Sequence, residues 1–519
     1  MLPMRSSLAS FSTAIALLFL LLLPKAAPSA EPAEPKSDKP AESKEAKDAK
    51  PKSDEKLVDS QHTVTIDGKE VRYTARAGTI ILRDGDDKPT ASIFYIAYTH
   101  LDATNAAERP LTFSFNGGPG SSSVWLHMGL LGPRRVVLET DGSPVPPPYR
   151  LVANEYSLLD VTDLVFIDPV STGYSRASKP DDARKFHGVR EDVASVAEFI
   201  RLYVTRNKRW PSPKFVIGES YGTTRAAALS GELAGRLRMN VNGIMLVSAV
   251  LNFQTIRFAE GNDLPYVLYL PSYTATAWYH HRLIPELQKL KLEEVLARAE
   301  EFAAGEYNAA LMQGSALKKE RRSQVVRELA RLTGLTEQYV DRSNLRIPLS
   351  RFARELLADD GRVIGRYDGR YKGNIRDRVN DTMEYDPSGE GVFSAFASTF
   401  NDYVRSELKF ESDLSYEILT GLGWNWGENN GYLNVAETLA TSLTRNPFLR
   451  IHVSEGYYDL ATPYFGTQYT FNHLGIDASL ARNITADRYS AGHMMYLNQP
   501  DLKKQKADLA RFIRTAVAQ

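Results

Sequence analysis

The stretch Lys214-Phe-Val-Ile-Gly-Glu-Ser-Tyr-Gly222 constrains the rest of the chain. An apolar run, Phe215 to Ile217, enters a Gly218-x-Ser220-x-Gly222 pattern, and an alanine-rich run from Arg225 to Leu237 leaves it. The succession reads strand, sharp turn, helix. A serine on such a turn stands with its hydroxyl exposed above the end of a sheet. The flanking glycines are needed because side chains there would collide with the adjoining strand and helix.

The surroundings supply the sheet. Thr63–Ile66, Val71–Thr74 and Thr79–Leu82 are short β-rich runs separated by Asp67-Gly68 and Ala77-Gly78, both read as turns. Ala91–Tyr98 and Leu111–Phe115 are further strands, and Leu164–Asp168 is the continuous apolar run of a strand buried on both faces. Helical spacing follows over 188–205, then the strand into Ser220, a helix, and the strand Gly243–Val247. Strands alternating with helices predict an α/β fold, a mostly parallel central sheet with helices on both faces. Between 258 and 424 the pattern changes: Leu287–Phe302, Lys318–Leu332 and Leu349–Leu357 read as helices with charged outer faces, so this segment is expected to be a helical cap inserted over the sheet. From Val435 the alternation resumes: a helix to Leu443, a strand Leu449–Val453 and a last helix Leu502–Val517. The core is thus expected over 58–257 and 425–519.

The N-terminus reads as a targeting segment. Arg5 precedes an apolar run from Phe11 to Leu23, followed by small residues Ala26 to Ala30. The run is short of the about 20 residues that span a bilayer; a charged start, short apolar middle and small-residue exit match a cleaved signal peptide over 1–29. Its cleavage leaves no membrane span. No cysteine follows it, which argues against a lipid anchor, and residues 30–57, almost all Glu, Lys, Asp, Pro, Ala and Ser, read as a flexible tether.

Composition excludes several functions. The 63 basic and 63 acidic residues cancel, giving no electrostatic footprint for nucleic acid or an anionic membrane. The chain has no cysteine, so disulfides, a thiolate nucleophile and Cys-ligated zinc are impossible. For an exported protein of this size, the absence of disulfides points to a bacterial periplasm.

A serine hydroxyl becomes a nucleophile when a base takes its proton, and the base needs a third group to orient it. In sheets of this type the order along the chain is Ser, then Asp or Glu, then His. Asp459, in the loop after Arg450–Val453, and His493, after Gly492 and before the final helix, complete the order Ser220, Asp459, His493. His127 is read as packing, and a metal at His280-His281 is not expected. After the strand ending at Phe115, Asn116-Gly-Gly-Pro-Gly120 exposes backbone N–H groups that can hold an oxyanion. Gly118, beside Gly117, is the expected donor, with the Tyr221 N–H as its partner. Acyl transfer by this set requires no cofactor and no metal.

Four motifs together, Asn116-Gly-Gly-Pro-Gly with its serine run, Phe166-Ile-Asp-Pro-Val-Ser-Thr-Gly-Tyr-Ser175, Gly218-Glu-Ser-Tyr221 and Ala491-Gly-His-Met494, resemble the serine carboxypeptidases, as a bacterial-type member. The resemblance covers roughly 90 to 515. It implies an α/β-hydrolase fold with a cap, peptide or small-protein substrates, and release of their C-terminal residues. It implies that Asn116 and Glu219 help bind the substrate's terminal carboxylate, with Met494 also at the substrate. Two positions depart from the family. Ser121 stands where a cysteine is usual, and Leu130 where the family typically has a glutamate. Two adjoining carboxyls share a proton and one pKa rises strongly. Without that partner for Glu219, altered carboxylate recognition and a less acidic pH optimum are expected. An aminopeptidase or esterase of the same superfamily is the alternative, and a non-catalytic binding protein on this scaffold is the alternative of another class. Tyr266, Tyr273, Trp278, Trp424 and Trp426 are expected to pack rather than line a pocket.

Overall fold

A computed structural model of the chain describes residues 55–380 and 383–518. The proposed signal peptide and nearly all of the proposed tether lie outside the described residues. The exceptions are residues 55–57, which dock on the sheet: Thr79 N donates to Lys56 O, the Glu55 carboxylate pairs with Arg206, and Leu57 begins the first strand.

The central sheet runs through β1 (Leu57–Ile66), β2 (Lys69–Arg83), β3 (Pro89–His100), β4 (Leu111–Phe115), β5 (Asp163–Ile167), β6 (Lys214–Glu219), β7 (Gly243–Val247), β8 (Arg450–Gly456) and β9 (Ile484–Tyr489). Their order is β1-β2-β3-β5-β4-β6-β7-β8-β9, with the two-residue strand Arg176–Ala177 paired to β3. β1 to β3 are an antiparallel meander, joined antiparallel to β5; from β5 to β9 every pairing is parallel. The expected mostly parallel sheet is therefore the observed one. The parallel strands are apolar without alternation because both faces are covered. Phe215 and Ile217 of β6 point into one core with helix Gln499–Val517, through Leu509, Phe512 and Ile513. Val216 points into the other, with helices Val189–Arg206, Tyr221–Gly235 and Ala436–Arg445.

Three local readings are corrected. Ala77-Gly78 is no turn. β2 passes straight through, and Gly78 is needed for close approach: a Cβ there would lie 2.6 Å from Lys56 O. The helix expected over Leu287–Phe302 is two, Pro285–Gln288 and Leu292–Phe302. The third concerns helices that the periodicity did not show. Leu264–Tyr279 has no charged residue and is buried nearly all round, and so shows no amphipathic stripe. Pro387–Ser406 carries two glycines, Gly389 and Gly391, in its first turns, but its start was readable: Asp386 caps Ser388 N, with proline in the first turn. This helix packs Phe396, Phe400 and Tyr403 into the same core as β6, so part of the segment 258–424 belongs to the body of the sheet. Among the described residues no helix is long and apolar enough to cross a membrane.

Candidate active site

The turn after β6 is strained as the glycine pattern requires. Ser220 has φ 59° and ψ −129°. A Cβ at Gly218 would lie 2.1 Å from Gly222 O, and one at Gly222 would lie 2.9 Å from Phe115 O. The strained residue is held from both sides: Ser220 N donates to Val247 O (3.0 Å), and Thr223 donates to Ser220 O through its N–H (2.8 Å) and its hydroxyl (2.6 Å). Such conformations persist only where the surroundings over-determine them, and they cluster at functional sites.

The loops after β8 and β9 meet beside it. They touch because Gly456 has no side chain; a Cβ there would sit 2.2 Å from Gly492 O. Asp459 Oδ2 then accepts from His493 Nδ1 at 2.8 Å. Asp459 is fixed in turn by the N–H groups of Ala461 and Thr462 on Oδ1 and by the Thr462 hydroxyl on Oδ2 (2.8 Å). His493 is anchored through its backbone, its N–H donating to Tyr367 O (2.6 Å) and its O accepting from Ser248 Oγ (2.6 Å). Burial alone would hold the imidazole neutral, but the charge and hydrogen bond of Asp459 outweigh it and raise the His493 pKa above the ordinary histidine value. Ser220 and His493 line one cavity of about 80 Å³. No hydrogen bond joins Ser220 Oγ to the imidazole among the described residues, a spacing common before substrate tightens such sites.

Gly117 and Gly118 sit against the elbow; a Cβ on Gly117 would lie 2.5 Å from Tyr221 N. Neither the Gly118 nor the Tyr221 N–H donates to an acceptor among the described residues. The loop is buttressed from two sides. Asp168 Oδ1 accepts from Ser123 N and Oγ (2.8 and 2.9 Å), and Ser121, in place of a cysteine, accepts from Trp125 Nε1 and donates to Ser122 O. Behind the elbow, fully buried Arg225 donates to Asp192 (2.8 Å) and to Asn116 O (2.6 Å), while Tyr221 OH donates to Asp192 (3.1 Å). One ion pair therefore ties the start of the glycine loop, at Asn116 O, to the Tyr221 side chain behind the elbow. Sequence reading missed it because an arginine in an alanine-rich helix carries no motif. Removing one partner of a buried pair costs about 3 to 5 kcal/mol. Arg225→Met is expected to lower stability by roughly that amount in chemical denaturation, with partial recovery on adding Asp192→Asn; a loss below about 1 kcal/mol would show that the pair is dispensable.

Asn116, Gly117, Gly118, Glu219 and Met494 all line the cavity, as does the proposed nucleophile. Burial pushes the Glu219 pKa up to about 7, against the opposing effects of His493, Tyr496 and Asn116. Its carboxyl partner is a phenol: Tyr496 OH donates to Glu219 Oε2 at 2.5 Å. Leu130 is buried in the core, its carbonyl bonded to Asn154 Nδ2. Asn116 Oδ1 accepts from Leu126 N (3.1 Å); its buried Nδ2 lies beside Glu219 and Tyr496 but closes no hydrogen bond among the described residues. Ser121, Trp125, Arg366, Tyr367, Phe393 and Leu419 complete the lining, and of these only Ser121 was named from the sequence. Trp424 and Trp426 instead pack against Tyr221, and Tyr273 stacks on Phe352 at 3.9 Å. His127 bonds Tyr98 OH (2.7 Å) and stacks on Phe166, its pKa lowered by burial to about 3. Among the described residues no cluster of His, Asp and Glu is arranged to hold a metal.

With this geometry in hand, the chain can be compared with known proteins. A family model described as serine carboxypeptidase matches residues 70–505. The pheromone-processing carboxypeptidase KEX1 of Saccharomyces cerevisiae is 34% identical over 156 residues, which is 28% of this chain and 20% of that protein. Serine carboxypeptidase-like 36 of Arabidopsis thaliana is 30% identical over 151 residues, 28% of this chain and 29% of that one. The aligned stretches thus span between a fifth and a third of these relatives. The crystal structure of a prohormone-processing carboxypeptidase, Kex1, from Saccharomyces cerevisiae superposes with a TM-score of 0.55 at 18% identity, covering 85% of this chain and 92% of that one. That likeness concerns the fold.

Proposed function

The chain belongs to the serine carboxypeptidase family, and from that premise we propose that it removes C-terminal residues from peptides or small proteins through an acyl-enzyme. The fold is that of an α/β-hydrolase. In this reading Ser220 attacks the carbonyl of the last peptide bond, and His493 takes the hydroxyl proton and passes it to the leaving amine. Asp459 holds the imidazole tautomer and stabilises its charged form. The Gly118 and Tyr221 N–H groups receive the oxyanion. Water then releases the acyl group with His493 again as base.

The observation that carries the exopeptidase reading is the company Ser220 keeps. A mostly neutral carboxyl, Glu219, and an unsatisfied amide, Asn116 Nδ2, share its small cavity and offer hydrogen-bond donors to a terminal carboxylate. The test is end-group preference. A peptide blocked at its N-terminus should be trimmed and one blocked at its C-terminus spared; the opposite result would make the enzyme an aminopeptidase. No reaction with a fluorophosphonate at Ser220 would leave a binding protein.

The pH profile follows from two groups. Glu219 keeps its proton below about 7 and becomes an anion that repels a carboxylate above it. His493 must lose its proton to act as base, and its pKa is raised. Activity on a free-acid peptide should therefore rise and fall around neutrality, whereas a C-terminal ester should show only the rising limb. A peptide profile that peaks in clearly acidic buffer contradicts this. The part of the segment 258–424 that precedes helix Pro387–Ser406 acts in this reading as the cap over the site. The apolar run at 11–23 supports export, with the periplasm as destination.

A further inference from the structure

Arg366 is mounted on the catalytic loops themselves. Its carbonyl accepts from Leu460 N (3.1 Å), next to Asp459, and the carbonyl of the following residue, Tyr367, holds His493 N. Its backbone N–H donates to Asp386 Oδ1 (3.1 Å). Arg366 lines the cavity that also holds Asn116, Glu219, Ser220 and His493. Its guanidinium lies over the Tyr367 ring, 4.1 Å from the centroid, and remains 40% exposed.

This arginine is incompletely paired. Its ion-pair partner is Asp386, but Nε stands 3.7 Å from Oδ2, beyond hydrogen-bond reach, and that Oδ2 is without a hydrogen-bond partner among the described residues. Arginines with a purely structural task in this protein close the contact: Arg346 on Asp263 and Arg134 on Glu407 both reach 2.6 Å through two nitrogens each. The other charges at the cavity are cancelled or small. Asp459 is committed to His493, and burial pushes the Glu219 pKa up to about 7, so it is largely protonated only in acid. The site therefore carries a loosely paired, stacked, planar cation beside an amide donor, Asn116 Nδ2, that closes no hydrogen bond among the described residues. A guanidinium forms paired N–H···O bonds to a carboxylate, a geometry an ammonium cannot reproduce.

We propose that Arg366 binds the terminal carboxylate of the substrate, together with Asn116, and so sets the preference for a free C-terminus. The proposal rests on the carboxypeptidase reading above. Arg366 is then a specificity-determining residue supplied by the inserted segment, and its charge is independent of pH over the working range.

The experiment compares kcat/KM on an N-blocked dipeptide acid with that on its C-terminal methyl ester, for the wild type, Arg366→Gln, Arg366→Lys and Asp386→Asn. Charge-assisted hydrogen bonds contribute about 1.5 to 3 kcal/mol, so Arg366→Gln should lower the acid-to-ester ratio by roughly 10- to 150-fold, mainly through KM for the acid. Arg366→Lys should recover part of it, and Asp386→Asn should leave the ratio at or above the wild-type value. An equal fall on acid and ester in Arg366→Gln, an unchanged ratio, or a matching loss in Asp386→Asn would each overturn the proposal and reduce Arg366 to a structural residue. A wild type that trims from the N-terminus, or hydrolyses only the ester, would instead overturn the carboxypeptidase reading on which it rests.

Discussion

Ser220→Ala is expected to lower kcat by roughly 10⁴- to 10⁶-fold, and to abolish labelling by a fluorophosphonate, without unfolding the protein. The size of the effect follows from what remains. The proposed oxyanion donors at Gly118 and Tyr221, the cavity and the proposed carboxylate-binding groups are untouched, so residual catalysis by positioning and electrostatics should survive at about 10³- to 10⁴-fold over water. The fold should tolerate the change, because the turn is held by backbone bonds: Ser220 N to Val247 O, and Thr223 to Ser220 O. Alanine loses only the hydroxyl but inherits the positive φ, so a modest loss of stability, on the order of 1 kcal/mol, is the expected side effect. Steady-state kinetics on the purified variant, with circular dichroism as control, makes the measurement. Turnover within tenfold of the wild type would remove Ser220 from the mechanism.

Asp459→Asn should follow with a fall in kcat of about 10⁴-fold near neutrality, because an amide presents a donor where His493 Nδ1 needs an acceptor. The wild-type carboxylate has every lone pair in use: two backbone N–H groups on Oδ1, and the Thr462 hydroxyl and His493 on Oδ2. Asparagine can preserve the shape and not the charge. The pKa of His493 is raised by the charge and hydrogen bond of this carboxylate against the opposing effect of burial. Without them burial prevails, and the ascending limb of the ester pH profile should move to lower pH in the variant. A limb that stays in place would show that Asp459 does not govern the imidazole. Labelling of Ser220 should slow in step with kcat.

The sequence made the elbow and the order of the proposed triad legible for a physical reason. Close backbone approach allows only glycine, and Gly218, Gly222, Gly117 and Gly492 are where strand, helix and loops abut. Such constraints leave local patterns. The buried parallel strands were readable too, since Leu164–Ile167 and Phe215–Ile217 are apolar on both faces. What escaped was everything set by contacts between distant segments. Arg225 and Asp192 lie 33 residues apart, Tyr496 and Glu219 277 apart. Nothing near Tyr496 or Arg366 in the chain announces a partner. Helix Leu264–Tyr279 escaped because periodicity needs a wet face to be visible, and this helix is buried nearly all round. Leu130 gave the opposite lesson: its identity raised a question about Glu219 that only Tyr496 answers.

The backbone of the proposed base hangs from a loop of the segment 258–424. His493 N donates to Tyr367 O and Leu460 N to Arg366 O, so two consecutive carbonyls of one loop set the poise of both the imidazole and its carboxylate. The same loop brings Arg366 into the cavity. Under the proposals for Arg366 and His493, recognition and reactivity share a single mechanical fixture. On that reading a drift in the loop that retunes which peptides are accepted also shifts His493 and the residue beside Asp459, so the two traits are tied.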